Sequence, residues 1–181
     1  DEIIREGRRA GEIIRGLQAL TRNQASELAP ASLHVITRDI IGLSRLELER
    51  RAVALELDLA AQGDAIMCQS VQIQQVMLNL AINAIEAMGN NKGSRTLKIS
   101  SWNPSEDVIR IEVADSGTGL SDEVIDKIFD SFYTTKPEGM GMGLTISHAM
   151  IKRHGGILSA ENRPEGGSLF WFTLPLITQS D

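Results

Sequence analysis

The sequence predicts an α+β fold: one mixed, mostly antiparallel sheet covered by helices on one face and preceded by an amphipathic helical arm. Three observations lead there. Segments of alternating apolar and polar residues fall at 54–59, 95–102 and 108–115 and again near the C-terminus, the period of half-buried strands. Segments of helical period lie at 32–50, at 71–88 and beyond Gly143, between the strands. The 181 residues, 42% of them hydrophobic, suffice for one well-buried core but not for two full domains. Aromatic residues make up only 4%, so that core must be mostly aliphatic.

The elements follow in order. In DEIIREGRRAGEIIRGLQALTR, residues 1–22, Ile3, Ala10 and Leu17 recur seven apart, with Ile13 and Leu20 on a second such row. Arg and Glu dominate the rest, which predicts a helix with one narrow apolar seam. Such a seam cannot bury itself alone, so packing in a bundle or dimer is expected. The chain begins inside this pattern and is expected to be part of something longer. Ala29-Pro30-Ala31-Ser32 breaks the pattern and predicts a linker or helix start. The next helix, 32–50, places Leu33, Ile36, Ile40, Leu43 and Leu46 on one face. Residues 54–59 and 65–68 predict short strands, and VQIQQVMLNLAINAIEAM (71–88) a strong helix. Strands follow over RTLKISSW (95–102) and VIRIEVAD (108–115), separated by Asn103-Pro104-Ser105. A short helix is expected from Ser121, then a glycine-rich stretch, then a helix ending at His154-Gly155-Gly156. GILSAEN and GGSLFWFTLPL predict a closing antiparallel pair.

Composition excludes several functions. A net charge of −6 argues against a general nucleic-acid binder, which would show a basic face. No apolar run approaches a membrane span, and no signal segment opens the chain. Cys68 is the only cysteine, so no internal disulfide can form, and a reducing, cytosolic setting is expected.

Four stretches carry candidate chemistry. Asn79 and Asn83 lie one turn apart in an otherwise apolar helix, where asparagine is a mediocre former and costly to bury alone. They either cap local backbone or face a polar cleft, and an amide oxygen is a suitable hard ligand for Mg²⁺. DSGTGL (115–120) puts an aspartate at a strand end before two glycines, which suits either a ligand approached by backbone or an ordinary turn. Phe129 to Lys136 offers two phenylalanines and a cation, an apolar anchor that also brings charge towards phosphate. GMGMGL (139–144) opens a helix, where exposed N–H donors and the helix dipole favour an anion. Its spacing is neither the Walker P-loop nor the dinucleotide fingerprint.

In this order the stretches resemble the catalytic ATP-binding domain of bacterial sensor histidine kinases, of the Bergerat (GHKL) fold shared with gyrase, Hsp90 and MutL. QQVMLNLAINAIEAM is similar to the family's N box, DSGTGL to its G1 box, IFDSFYTTKP to its F box and GMGMGL to its G2 box. HGG (154–156) and PEGGSLFWFTLP (164–175) resemble its closing segment. The wording is most similar to the oxygen- and nitrogen-sensing subgroup typified by FixL and NtrB. The resemblance implies a two-layer α/β sandwich over residues 29–181, and makes residues 1–28 the second helix of a dimerisation hairpin.

It also implies roles. Asn83 would ligate Mg²⁺ against the ATP phosphates, with Asn79 one turn back near the same phosphates. Asp115 would accept from the adenine amine, which favours ATP over GTP because guanine presents a second acceptor there. Gly117 and Gly119 would admit the base. Lys136 would meet phosphate, and Gly139, Met140, Gly141, Met142, Gly143 and Leu144 would form the lid and its hinge. Such a lid is expected to order weakly without nucleotide. Glu86 stands where many relatives carry a basic residue; it cannot bind phosphate directly, and an approach to Mg²⁺ through water is the role left open to it. Met140 and Met142 replace the more usual Thr and Leu.

None of His34, His148 and His154 matches the family's phosphate-accepting histidine, and His154 reads as a dipole-stabilising helix cap. The chain is therefore expected to be a kinase fragment without its acceptor helix, unable to autophosphorylate by itself. Implied partners are a second copy through the hairpin and a response-regulator receiver domain, in a parent protein either soluble or membrane-anchored. Three rivals remain. A hydrolysing ATPase of this fold would carry a glutamate base where Asn79 stands. A serine kinase of the anti-sigma type would lack the hairpin helix, and a non-enzymatic nucleotide-binding module would dimerise without phosphotransfer.

Overall fold

The computed structural model describes residues 27–89, 93–135 and 141–177. The arm over 1–22 lies outside these residues, as do Lys136, Gly139 and Met140. β1 (Ala29–Ser32) leads into α1 (Leu33–Arg50), then β2 (Ala54–Leu59), β3 (Ala65–Cys68) and α2 (Ser70–Ala87). β4 (Thr96–Ser105), β5 (Val108–Asp115), α3 (Asp122–Lys127), α4 (Gly143–Arg153), β6 (Ile157–Asn162) and β7 (Ser168–Pro175) complete the chain. Five strands form a mixed sheet in the order β2-β4-β5-β7-β6, in which only β2–β4 is parallel. The expected α+β architecture is borne out.

Alternation explains the sheet. Leu97 and Ile99 on β4, Ile109, Ile111 and Val113 on β5, and Phe170, Phe172 and Leu174 on β7 are buried on one face. They pack with Ile73, Val76, Met77, Leu80, Ala84 and Ile85 of α2, with Ile146, Met150 and Ile151 of α4, and with Leu33, Ile36 and Ile40 of α1. Each such side chain contributes about 1.5–3 kcal/mol by leaving water. On the opposite face the Arg110 guanidinium lies 4.0 Å from the Trp171 ring centroid and 5.7 Å from that of Trp102, a cation–π pair of contacts.

Three expectations need correction. Residues 29–32 are not a linker: they form β1, which pairs antiparallel with β3 from Ala29↔Cys68 to Ser32↔Ala65. Ser32 also caps α1 by accepting from the Val35 N–H at 3.1 Å, while the Asp64 carbonyl accepts from Leu33 N–H at 2.9 Å. On α1, Leu43 and Leu46 are 75% and 77% exposed, and Thr37, Ser44 and Leu48 are buried instead. The two hydroxyls donate to Leu33 and Ile40 carbonyls one turn back, so they enter the core already paired. Asn103-Pro104-Ser105 does not separate the strands. It lies within β4, at a register shift between Trp102 and Ser105, where an irregular ladder tolerates the missing proline N–H.

Candidate functional site

The site is organised along α2. Asn79, Asn83 and Glu86 share one side of this helix, away from the apolar face that meets the sheet. Asn79 and Asn83 are half-buried and Glu86 is exposed. Asn79 donates from Nδ2 to Ser147 Oγ at 3.1 Å, joining α2 to α4. Its Oδ1 lies 2.7 Å from where a Cβ on Gly143 would sit. A side chain at Gly143 would push the Asn79 amide aside, so glycine lets α4 begin close to it.

The loop after β5 meets the other end of the polar stripe. A Cβ on Gly117 would come within 2.8 Å of the Ala87 carbonyl, one turn beyond Asn83, and within 2.7 Å of Asp115 Oδ1. The stretch of α2 between these two approaches runs from Asn79 to Ala87, about 12 Å along the axis at the usual rise per residue. Asn83 stands at its middle.

Asp115 is 1% exposed, and its carboxylate is held from three directions. Oδ1 accepts from Gly117 N–H at 2.7 Å and from Ser168 N–H at 3.3 Å, and Oδ2 accepts from the Ser168 hydroxyl at 2.5 Å. A carboxylate offers about four lone-pair sites, so one acceptor position is left for a further donor. Gly119 has φ +75°, a left-handed conformation that glycine adopts without strain.

The wall that leads to α4 is built differently. Phe129 stacks on His148 with ring centroids 5.2 Å apart, while Phe132 is 75% exposed at φ +68°. Gly141, at φ +66°, lies against the Phe132–Tyr133 backbone, where a side chain would collide. Met142 is the N-cap of α4 and makes no side-chain cap bond; Met142 and Leu144 are half-buried against the core. Thr145 Oγ1 donates to the Asp130 carbonyl at 3.0 Å and so ties the start of α4 to the phenylalanine segment.

Asn79, Asn83 and Glu86 thus line one side of α2, with Gly117, next to Asp115, against its Ala87 end and Gly143 against Asn79, while Gly141 meets the Phe132–Tyr133 backbone. Sequence reasoning missed Ser168, Asn162, Arg163 and Ser147. Ser168 left a signal: it occupies the inward register of Phe170, Phe172 and Leu174, where a hydroxyl needs a partner. His154 lies at the end of α4. It is the C-cap of that helix, as expected, with Nδ1 2.8 Å from the Met150 carbonyl, and it also bridges to α2, Nε2 accepting from Gln69 N–H at 3.1 Å.

Residues 68–178 match the family described as histidine kinase-, DNA gyrase B-, and HSP90-like ATPase, and the chain belongs to that family. It is 38% identical over 175 residues to the sensor protein FixL of Bradyrhizobium diazoefficiens, a match covering 97% of this chain and 34% of FixL. The chain thus spans about a third of that relative's length. Its fold is similar to the nucleotide-free catalytic domain of histidine kinase ThkA, with TM-score 0.74, 32% identity and coverage of 83% of this chain and 96% of that one. It is also similar to ThkA in complex with the response regulator TrrA, with TM-score 0.74, 26% identity and coverage of 92% of this chain and 48% of that one.

Proposed function

We propose that this chain is the ATP-binding catalytic domain of a two-component sensor histidine kinase. In this reading it transfers the γ-phosphoryl group of ATP to a histidine on a dimerisation helix, for onward transfer to a response-regulator aspartate. The observation that carries the reading is the order along α2: the Asp115 loop against Ala87, Asn83 between, and the start of α4 against Asn79. That order matches a nucleotide lying along the helix, base at one end and phosphates at the other.

The remaining acceptor site of Asp115 takes a hydrogen from the adenine amine, and the Gly117 position leaves room for the base. Met142, Gly143 and Leu144 bring the start of α4 to the phosphates, with Lys136 from the preceding segment. Asn83 fits Mg²⁺ as a single hard oxygen donor. Among the described residues no cluster of three acidic, His or Cys side chains could hold a metal unaided, so phosphate oxygens complete the set. When bound there, the ion neutralises phosphate charge. A neutral imidazole nitrogen attacks the γ-phosphorus, the bond to the β–γ bridging oxygen breaks, and ADP leaves with that electron pair. Positioning supplies most of the rate, because the nucleophile needs no strong base. Asn79 spends its amide on Ser147 and cannot act as a base, which disfavours hydrolysis as the main reaction.

The proposal extends to dimerisation through residues 1–28 and to a receiver-domain partner, supported by the ThkA–TrrA complex as a relative of the same fold. None of the described helices is long and apolar enough to cross a membrane, which suits a domain working in water. The test is to mix the chain with a histidine-bearing dimerisation helix and ATP labelled at the γ-position. Acid-labile, base-stable label on the helix is expected; release of free phosphate alone would sink the kinase reading.

A further inference from the structure

The turn between β6 and β7 grips both ends of the loop that carries Asp115. Asn162 and Ser168 face each other as the last register pair of this hairpin. Ser168 holds the start of the loop through both oxygens of Asp115. Asn162 holds its end: Oδ1 accepts from Leu120 N–H at 2.8 Å, and Nδ2 donates to the Leu120 carbonyl at 2.6 Å. A side-chain amide that pairs with both groups of one backbone residue behaves like an added strand residue, and it fixes both position and orientation.

Neighbouring residues reinforce this grip. Arg163 donates from Nη1 to the Asp115 carbonyl at 2.9 Å, and its Nη2 pairs with Glu165. The Glu165 carboxyl is held below its ordinary range by its own backbone N–H and by Arg163. Gly167, at φ +84°, lies against the Asp115 carbonyl, where any side chain would collide. A Cβ on Gly119 would come within 2.9 Å of Asn162 Oδ1, so the loop seats directly on that amide. Yet Asn162 is exposed, and its removal opens no hole in the core.

We propose that Asn162, assisted by Arg163, is a positioning residue for the nucleotide base, holding the Asp115–Leu120 loop at the span the base requires. This rests on the assignment of Asp115 as the base-recognition residue. Neither side chain needs to touch the nucleotide; both act through the loop. Selectivity for the base depends on the distance between the Asp115 carboxylate and the glycine backbone at 117–119, and the hairpin end sets that distance.

The test compares Asn162→Ala, Asn162→Asp and Asp115→Ala with the parent chain. Affinities for ATP and for inorganic tripolyphosphate, both with Mg²⁺, are measured beside the melting temperature. Asn162→Ala is expected to weaken ATP roughly tenfold, the scale of one lost hydrogen-bonded brace, with tripolyphosphate unchanged. Its melting point should move by less than about 2 °C. Unchanged ATP affinity, or parallel weakening of both ligands with a clear loss of melting temperature, would overturn the proposal. In Asn162→Asp the carboxylate faces the Leu120 carbonyl, and protonation restores the missing donor. ATP affinity of this variant, relative to the parent at each pH, should therefore recover as pH falls; a flat ratio contradicts the proposal. If Asp115→Ala keeps its ATP affinity, the base-site reading itself fails. If Asp115→Ala loses affinity and Asn162→Ala does not, only the positioning role is wrong.

Discussion

Two walls of the same cleft are held in different ways. The Asp115–Leu120 loop is tied to the β6–β7 hairpin by Ser168, Asn162 and Arg163, and Gly117 fits it against the end of α2. The segment from α3 to α4 depends on far less. α3 has no buried residue, Phe132 projects into solvent at a left-handed φ, and α4 begins without a side-chain cap. Among the described residues it is tied by the Phe129–His148 stack, the Thr145–Asp130 bond and the packing of Val124, Ile128 and Phe129 against the core. Long-range side-chain hydrogen bonds among the described residues are more numerous on the first wall, which sets the two at different points of the local-stability scale. Base recognition needs a preorganised surface, whereas a wall over phosphates must let substrate enter and ADP leave.

Substitutions can break or sharpen this contrast. The largest effect is expected for Asp115→Ala, which removes a charged hydrogen-bond acceptor from the fixed wall. ATP affinity should fall by roughly ten- to a hundredfold, read by calorimetric titration. Gly117→Ala forces a methyl group towards the Ala87 carbonyl, and neither backbone can yield easily. A global loss of about 1–3 kcal/mol in denaturant unfolding is expected, together with weaker ATP binding.

Gly141→Ala tests the other wall. Its clash with the Phe132–Tyr133 backbone is tighter, and its φ of +66° adds strain. If this segment opens independently of the core, the strain is released locally: the global loss is expected to stay below that of Gly117→Ala, with faster hydrogen exchange confined to residues 129–135. A global loss larger than that of Gly117→Ala would reverse the comparison. Smaller still, Phe132→Ala should change stability by no more than about 0.5 kcal/mol, because the ring is exposed. A control lies outside both walls. Ala52 follows α1 at φ +51°, and Ala52→Gly should raise stability by a few tenths of a kcal/mol, the relief of strain partly offset by a freer unfolded chain.

Much of the fold and the stripe on α2 was legible, because a helix face and a strand face are local repeats. Asn79 and Asn83 stood out as polar residues in an apolar helix, and Asp115 as a carboxylate closing an apolar strand. The sequence also marked Gly117 and Gly143 as special, but not why: one is opposed by Ala87 and the other by Asn79, residues distant in the chain. On α1 the expected face was rotated. Leu43 and Leu46 continue the apolar pattern, but the position of α2 and the sheet buries Ser44 and Leu48 instead.

The sequence by itself determined most of the strands and helices, the aliphatic core, and the order of boxes that places the chain among the histidine kinase-, gyrase- and HSP90-like ATPases. Those properties follow from periodicity and residue chemistry within short windows. Tertiary structure alone decided that residues 29–32 pair with β3 as a strand, that Asn79 is spent on Ser147, and that Asn162 grips Leu120 across forty-two positions of sequence. The physical reason is that an exposed asparagine in a turn carries no pattern of its own. It acquires a function only when sheet register brings β6 beside the loop after β5.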